Sequence, residues 1–116
     1  MAEEAPTPVS RFIYRLRETG GLKGTDIANI AGVSTATVSR WGTGRKSPHP
    51  KTQLLVSDLA YVVTRLAAYY RPDEARAWLF ARHPQLDGER AIDLIHDDRT
   101  EEVLAILDRL DADAYL

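Results

Sequence analysis

Apolar residues return along most of this chain at intervals of three and four, the spacing of one helix face. Val9, Phe12, Ile13 and Leu16 form the first such face, with Arg11, Arg15, Arg17 and Glu18 on the other side. Pro8 suits the first turn of that helix, where a missing N–H costs little. Gly20 and Gly21 end it. Thr25 is expected to cap a second helix whose packing side is Ile27, Ala28, Ile30 and Ala31, and Gly32 to end it. Ser34 then caps a third helix that runs through Trp41. Gly42, Gly44 and Pro48 close it and open the loop GTGRKSPHPK.

The stretch from 52 to 70, TQLLVSDLAYVVTRLAAYY, is the most apolar of the chain. Leu55, Leu59, Val62 and Leu66 make one stripe; Val56, Ala60, Val63, Ala67 and Tyr70 make a second. Only Asp58, Tyr61 and Arg65 form a polar ridge. A helix apolar on two sides must be buried on two sides, which predicts a central helix shared with a second copy of the chain. Pro72 opens a further helix, with Asp73 and Glu74 in the first turn, where the helix dipole favours them. Residues 83–98 are turn-rich and then briefly apolar. Asp98 and Glu101 have the spacing of a capping box, ahead of a last helix with Val103, Ile106, Leu107 and Leu110 on one face. No strand and no internal repeat is predicted, and MAEEAPT reads as an unstructured lead-in. The expected fold class is all-α.

Composition narrows the function. A chain of 116 residues can bury one core or two small packed lobes. It contains no cysteine, which excludes disulfides and cysteine-bound zinc and suits a reducing cytoplasm. The acidic, proline-containing start does not read as a secretory leader, and no apolar run is long enough to span a bilayer; no membrane partner is expected. The net charge of −2 hides a division. Residues 11–51 carry eight Lys or Arg against two acids, whereas residues 52–116 carry seven against thirteen. The first part can neutralise phosphates; the second would repel them and is available to another partner.

The basic part also meets the demands of a helix-turn-helix. A small residue must lie where the helices cross, a glycine must make the turn, and apolar residues must pin the second helix. Ala28, Gly32, Val38 and Trp41 satisfy these together, with Ile27, Ala31 and Val33 filling the remaining core positions. The segment GTDIANIAGVSTATVSRWGTGRKSP resembles the helix-turn-helix of the Cro/repressor-type, Xre-like family. With Val38 and Trp41 inward, Thr35, Ala36, Ser39 and Arg40 face outward. Arg40 is the candidate for bidentate guanine readout, and Thr35 and Ala36 for base edges or a thymine methyl. The resemblance places base contacts at Thr35, Ala36 and Arg40 as well. Ser34, Thr37, Thr43, Arg45 and Lys46 suit phosphates, which position without reading sequence. One lobe with so few phosphate contacts binds weakly, so a homodimer on a two-fold site with half-sites about 34 Å apart is expected.

The second part carries EARAWLFARHPQLDGERAIDLIHDDRTEEVLAILDRL. Trp78-Leu79, Pro84, Leu86, Gly88, Ile92-Asp93-Leu94-Ile95, Glu102-Val103 and Leu107 together resemble the C-terminal toxin-binding domain of the MbcA/ParS/Xre antitoxin family. Ala91 stands where that family usually has proline, and the tail DADAYL lacks the family's usual glycine. The resemblance implies an antitoxin of a type II pair. Its partner would be an NAD-consuming toxin, either a RES-domain enzyme or an ADP-ribosyltransferase, and it would repress its own operon. The implied toxin contacts are Asp111, Asp113, Ala114, Tyr115 and Leu116, an acidic tail with an aromatic tip that could enter a dinucleotide pocket. Fraying is the plain alternative for these last residues. Trp78, Phe80, Leu86 and Pro84 are explained as core and turn, and Asp93 as a helix cap.

Catalysis finds little support. His49, His83 and His96 have no helical metal spacing among themselves, and no glycine-rich phosphate loop follows a strand. His96-Asp97-Asp98 could attract a metal, but capping explains Asp98 more simply. The chain therefore reads as a non-enzyme without cofactor. Residues 8–48 would form the DNA lobe, and residues 52–116 a dimerising, toxin-binding lobe. A free-standing repressor whose acidic half binds a small ligand or only dimerises is the alternative. An interaction module whose lobe no longer binds DNA is a third.

Overall fold

The computed structural model describes residues 7–114, so the N-terminal lead-in up to Pro6 and the tail residues Tyr115 and Leu116 lie outside it. Helix α1 spans Pro8–Glu18 and is opened by a reciprocal cap. Ser10 N–H donates to Thr7 Oγ1 at 3.0 Å, and Thr7 N–H donates to Ser10 Oγ at 2.7 Å. Val9, Ile13 and Leu16 are buried as their spacing requires, and Phe12 is half-buried. Helix α2, Gly24–Ala31, ends at Gly32, whose φ of +69° is the left-handed conformation that a helix-ending glycine supplies. Helix α3, Thr35–Thr43, is capped by Ser34.

Helix α4, Pro50–Leu66, is the centre of the molecule and packs against α1 and α2 as well as the two last helices. Helix α5 is Pro72–Phe80. Two-residue strands β1, Arg82–His83, and β2, Glu89–Arg90, pair antiparallel with Arg82 opposite Arg90. A single 3-10 turn, Pro84–Leu86, lies between them. Helices α6, Ala91–His96, and α7, Thr100–Asp113, complete the fold. The buried residues form one continuous cluster from Val9 to Leu107. No helix of the described residues is long and apolar enough to cross a membrane.

Several local expectations are corrected. Thr25 does not cap α2. The Asp26 carboxylate accepts the Lys23 N–H at 2.8 Å, which starts the helix at Gly24 and leaves Thr25 exposed inside its first turn. Helix α3 does not stop at Trp41 but continues through Gly42 to Thr43, and Gly44 turns it off at φ +80°. Asp98 does not cap α7. It sits at φ +61° in the preceding turn, and Glu102 rather than Glu101 folds back onto Arg99. The short hairpin was not expected. Its strands are too brief for any alternation to be read, and Asp87 at φ +56° and Gly88 at φ +80° reverse the chain between them.

The two-sided burial of α4 is real, but it needs no second copy. Val56 and Val63 are covered by the chain itself, Tyr70 is half-buried, and Ala67 is exposed just past the helix end. Helix α1 covers one side, where Val63 lies against Gly20 and Arg15 donates to Thr64 Oγ1 at 2.9 Å. Helix α7 is bonded to the polar ridge: Thr100 Oγ1 donates to Asp58 at 3.0 Å, and Arg65 reaches the far end. The stripe argument for a homodimer therefore falls.

Two glycines separate conformational from steric demands. Gly21 has φ +65°, and an added Cβ would lie 2.4 Å from the Pro72 carbonyl oxygen, so the α1–α2 turn touches the start of α5 through bare backbone. Gly32 has a similar φ but open space around it. Gly32→Ala should cost about 1 kcal/mol from backbone strain alone. Gly21→Ala should cost about 3 kcal/mol, because displacement of packed backbone is added to that strain. Urea unfolding of the two variants measures the difference.

Candidate functional site

Helix α3 presents its predicted outward face to solvent. Thr35, Ala36, Ser39 and Arg40 are exposed, while Val38 and Trp41 are withdrawn to 1% and 2% exposure. The hydroxyls at its start are already committed locally. Ser34 Oγ accepts the Thr37 N–H at 3.1 Å and lies 3.0 Å from Thr37 Oγ1. These bonds hold the first turn of the helix, the part expected from the sequence to meet a major groove. At the other end Thr43 Oγ1 donates to the Arg40 carbonyl at 3.1 Å. The same carbonyl accepts the Arg45 N–H at 2.9 Å and the Lys46 N–H at 3.4 Å.

That fold-back starts three exposed cations, Arg40, Arg45 and Lys46, from neighbouring points of the backbone. Among the described residues Arg40 and Lys46 are not ion-paired to any acid. Several arginines of the acidic half are placed differently. Arg76 is paired to Asp26, Arg90 to Asp93 and Arg99 to Glu102, at 2.9, 2.8 and 2.6 Å. All nine residues predicted to contact DNA thus fall on one helix, its N-cap and the loop that folds back over its end.

One extension was not read from the sequence. A groove of about 680 Å³ runs beside Gly42 and Thr43 and is lined from α1 by Arg11, Tyr14 and Arg15. Periodicity put these side chains on the solvent side of α1 but could not show that α3 ends next to them.

The acidic half is tied to α2 by a two-point ion pair. Arg76 Nε and Nη2 donate to the two Asp26 oxygens at 2.9 and 3.0 Å. The Arg76 hydrogen bonds hold the Asp26 carboxyl below its ordinary pKa, against the opposing effect of burial, and the Lys23 N–H adds to the lowering. Phe80 lies under both Arg76 and Arg90, 4.8 and 5.7 Å from its ring centre. Asp93 accepts both Arg90 donors at 2.8 and 2.9 Å, so its carboxylate braces Arg90 instead of serving as the expected helix cap. His83 packs on Trp78 with ring centres 4.4 Å apart, and its Nε2 lies 2.8 Å from the Trp78 carbonyl. His96 pairs with Asp97, and no group of three or more His, Asp or Glu among the described residues is placed to hold a metal ion.

Of the predicted toxin contacts, Asp111, Asp113 and Ala114 come together at the end of α7; Tyr115 and Leu116 lie outside the described residues. Asp113 and Ala114 are exposed. Asp111 is not idle: its carboxylate accepts from Tyr69 Oη and from Arg65 Nη2. These two bonds, Tyr69 first, draw its pKa below the ordinary value. Sequence reasoning passed over both donors, although Arg65 belonged to the polar ridge of α4.

Known proteins share this architecture. Residues 65–112 match the family model of the antitoxin Xre/MbcA/ParS C-terminal toxin-binding domain. The mycobacterial cidal antitoxin MbcA of Mycobacterium tuberculosis is 31% identical over 102 residues, covering 88% of this chain and 87% of that protein. A probable mycobacterial cidal antitoxin of the same species is 31% identical over 96 residues, covering 83% and 82%. The crystal structure of the M. tuberculosis MbcT–MbcA toxin–antitoxin complex contains a chain that superposes with a TM-score of 0.78 at 27% identity, covering 89% of this chain and 93% of that one. This all-α chain belongs to the Xre/MbcA/ParS antitoxin family.

The Asp26–Arg76 pair gives a signed pH expectation. A carboxyl whose folded pKa lies below its unfolded one stabilises the fold above the unfolded value. That contribution is lost as the pH falls through the folded value. Asp26→Asn should therefore destabilise by about 1–2 kcal/mol at pH 7. The gap to the parent should close below about pH 4. Urea titrations at neutral and acid pH compare the two.

Proposed function

We propose that this chain is the antitoxin of a type II toxin–antitoxin pair. It binds and blocks an NAD-consuming toxin, a RES-domain enzyme or an ADP-ribosyltransferase, and represses its own operon by binding operator DNA. The observation that carries the proposal is the match of residues 65–112 to a toxin-binding domain in a chain that resembles MbcA along most of its length. The protein acts by binding, without catalysis or a cofactor of its own, in the cytoplasm where its operon and its toxin are both within reach.

In this reading the acidic end of α7 leads Asp113, Ala114, Tyr115 and Leu116 towards the toxin. Acids followed by an apolar tip mimic the anionic and aromatic parts of a dinucleotide, so the tail competes for the NAD pocket. Thr35, Ala36, Ser39 and Arg40 read base edges, while Ser34, Thr37, Thr43, Arg45 and Lys46 hold phosphates. The protein works as a homodimer because one such lobe neutralises too few phosphates for tight binding, and two lobes spaced by one DNA turn combine their contacts. The free-standing repressor is the second reading, since the exposed face of α3 on which it relies is carried by a single chain.

Growth and intracellular NAD are measured in cells expressing the adjacent reading frame alone, with the full chain, and with a chain ending at Asp111. Toxicity and NAD loss rescued by the full chain but not by the shortened one are the expected result. A harmless neighbour leaves the free-standing repressor as the better account.

For the DNA arm, Arg40→Ala should weaken binding to the chain's own promoter by roughly tenfold or more and relax preference at one base pair. Lys46→Ala should weaken it evenly across sequences and reduce the salt slope by about 1. Fluorescence anisotropy across a salt series separates the two effects.

A further inference from the structure

Helix α7 ends against its own dipole. The last turn of an α-helix favours cations, yet this one carries Asp111 and Asp113 and no basic residue, and Asp108 stands one turn earlier beside Arg109. What offsets the repulsion comes from α4 and the turn after it, more than forty positions earlier in the chain. Arg65 Nη2 donates to Asp108 Oδ1 at 2.9 Å and to Asp111 Oδ2 at 2.7 Å. Tyr69 Oη donates to the remaining oxygen of Asp111. The Arg65 side chain is only 17% exposed and lies 6.0 Å from the centre of the Tyr61 ring, so it is held in place before it meets the carboxylates. At its other end α7 is fastened to the same helix by the buried Thr100 hydroxyl on Asp58.

We propose that Arg65 and Tyr69 are positioning residues for toxin neutralisation: by latching Asp111 they fix the final turn of α7 and so the direction in which residues 112–114 lead away from the fold. The inference rests on the proposed role of that tail. A tail that must enter a pocket loses conformational freedom on binding, and a fixed last turn reduces what remains to be lost. Neither residue needs to touch the toxin for this. The acids stay at an unfavourable helix end because the latch offsets their repulsion there.

The test uses the full chain and the product of the adjacent reading frame as the probe. Arg65→Gln should raise amide hydrogen exchange at 111–114 by tenfold or more. It should raise the antitoxin concentration that halves NAD loss by a similar factor. Tyr69→Phe, which removes one hydroxyl and keeps the ring, should act in the same direction more weakly. Arg65→Lys should recover most of the inhibition because it keeps the charge. Promoter binding and exchange in α1–α3 should be unchanged in all three, which a merely unfolded variant would not allow. Unchanged exchange at 111–114 would overturn the latch. Faster exchange with the half-inhibiting concentration within twofold of the parent would overturn the positioning role. A chain ending at Asp111 is the control for the underlying reading. If it inhibits as well as the full chain, the tail has no role and the inference falls with it. If only the shortened chain fails while Arg65→Gln inhibits normally, the latch alone is wrong.

Discussion

The withdrawal of α4 from water is the constraint on which the rest of the molecule depends. Val56, Leu59, Ala60, Val62, Val63 and Leu66 lie on more than one side of a single helix, and all are buried. Fully burying a side chain of that size is worth about 1.5–3 kcal/mol, so no arrangement that leaves either side wet competes. In so short a chain the cover must come from both directions along the sequence. Helix α1 supplies one side and the α6–α7 pair the other. The basic and the acidic halves of the chain are therefore built on a shared helix, and their core is continuous.

Polar contacts then set the register of what the core holds together. The ridge that interrupts the apolar surface of α4 is where α7 is fastened, at Asp58 near its start and at Arg65 near its end. The Asp26–Arg76 pair does the same between α2 and α5, across fifty positions of sequence. Individually such bonds contribute modestly. Their importance is directional, since they decide how α2 and α3 and the acidic end of α7 stand on a common frame.

The charge division acquires a structural meaning. In the acidic half, Arg65, Arg76, Arg90 and Arg99 all have carboxylate partners. Each of these cations is offset by an acid beside it, and Arg65 is largely withdrawn from solvent. Around α3 the cations are exposed and gathered by one carbonyl, that of Arg40. A chain of net charge −2 thus presents a basic face, which is what the proposed operator contact needs.

The helical class, helices α1–α5 and α7, the α3 face and the glycine turn at Gly32 were legible in the sequence by itself, because periodicity, caps and left-handed glycines act within a few residues of one another. The Cβ of Val38 or Trp41 points inward for the same reason wherever the helix is placed. Some misjudged features were local competitions between neighbouring groups, and others depended on distant partners. Thr25 lost the cap because Asp26 takes the Lys23 N–H, and Asp26 in turn is held by Arg76. Asp98 was displaced by the turn between α6 and α7. The second stripe of α4 suggested a second copy because sequence shows that a face must be covered without showing by what. Only the tertiary structure decided that α1 covers it, that Gly21 touches Pro72, and that Arg65 and Tyr69 meet Asp111. Such pairings join residues some forty to fifty positions apart, where no local periodicity survives, and packing alone brings them into contact.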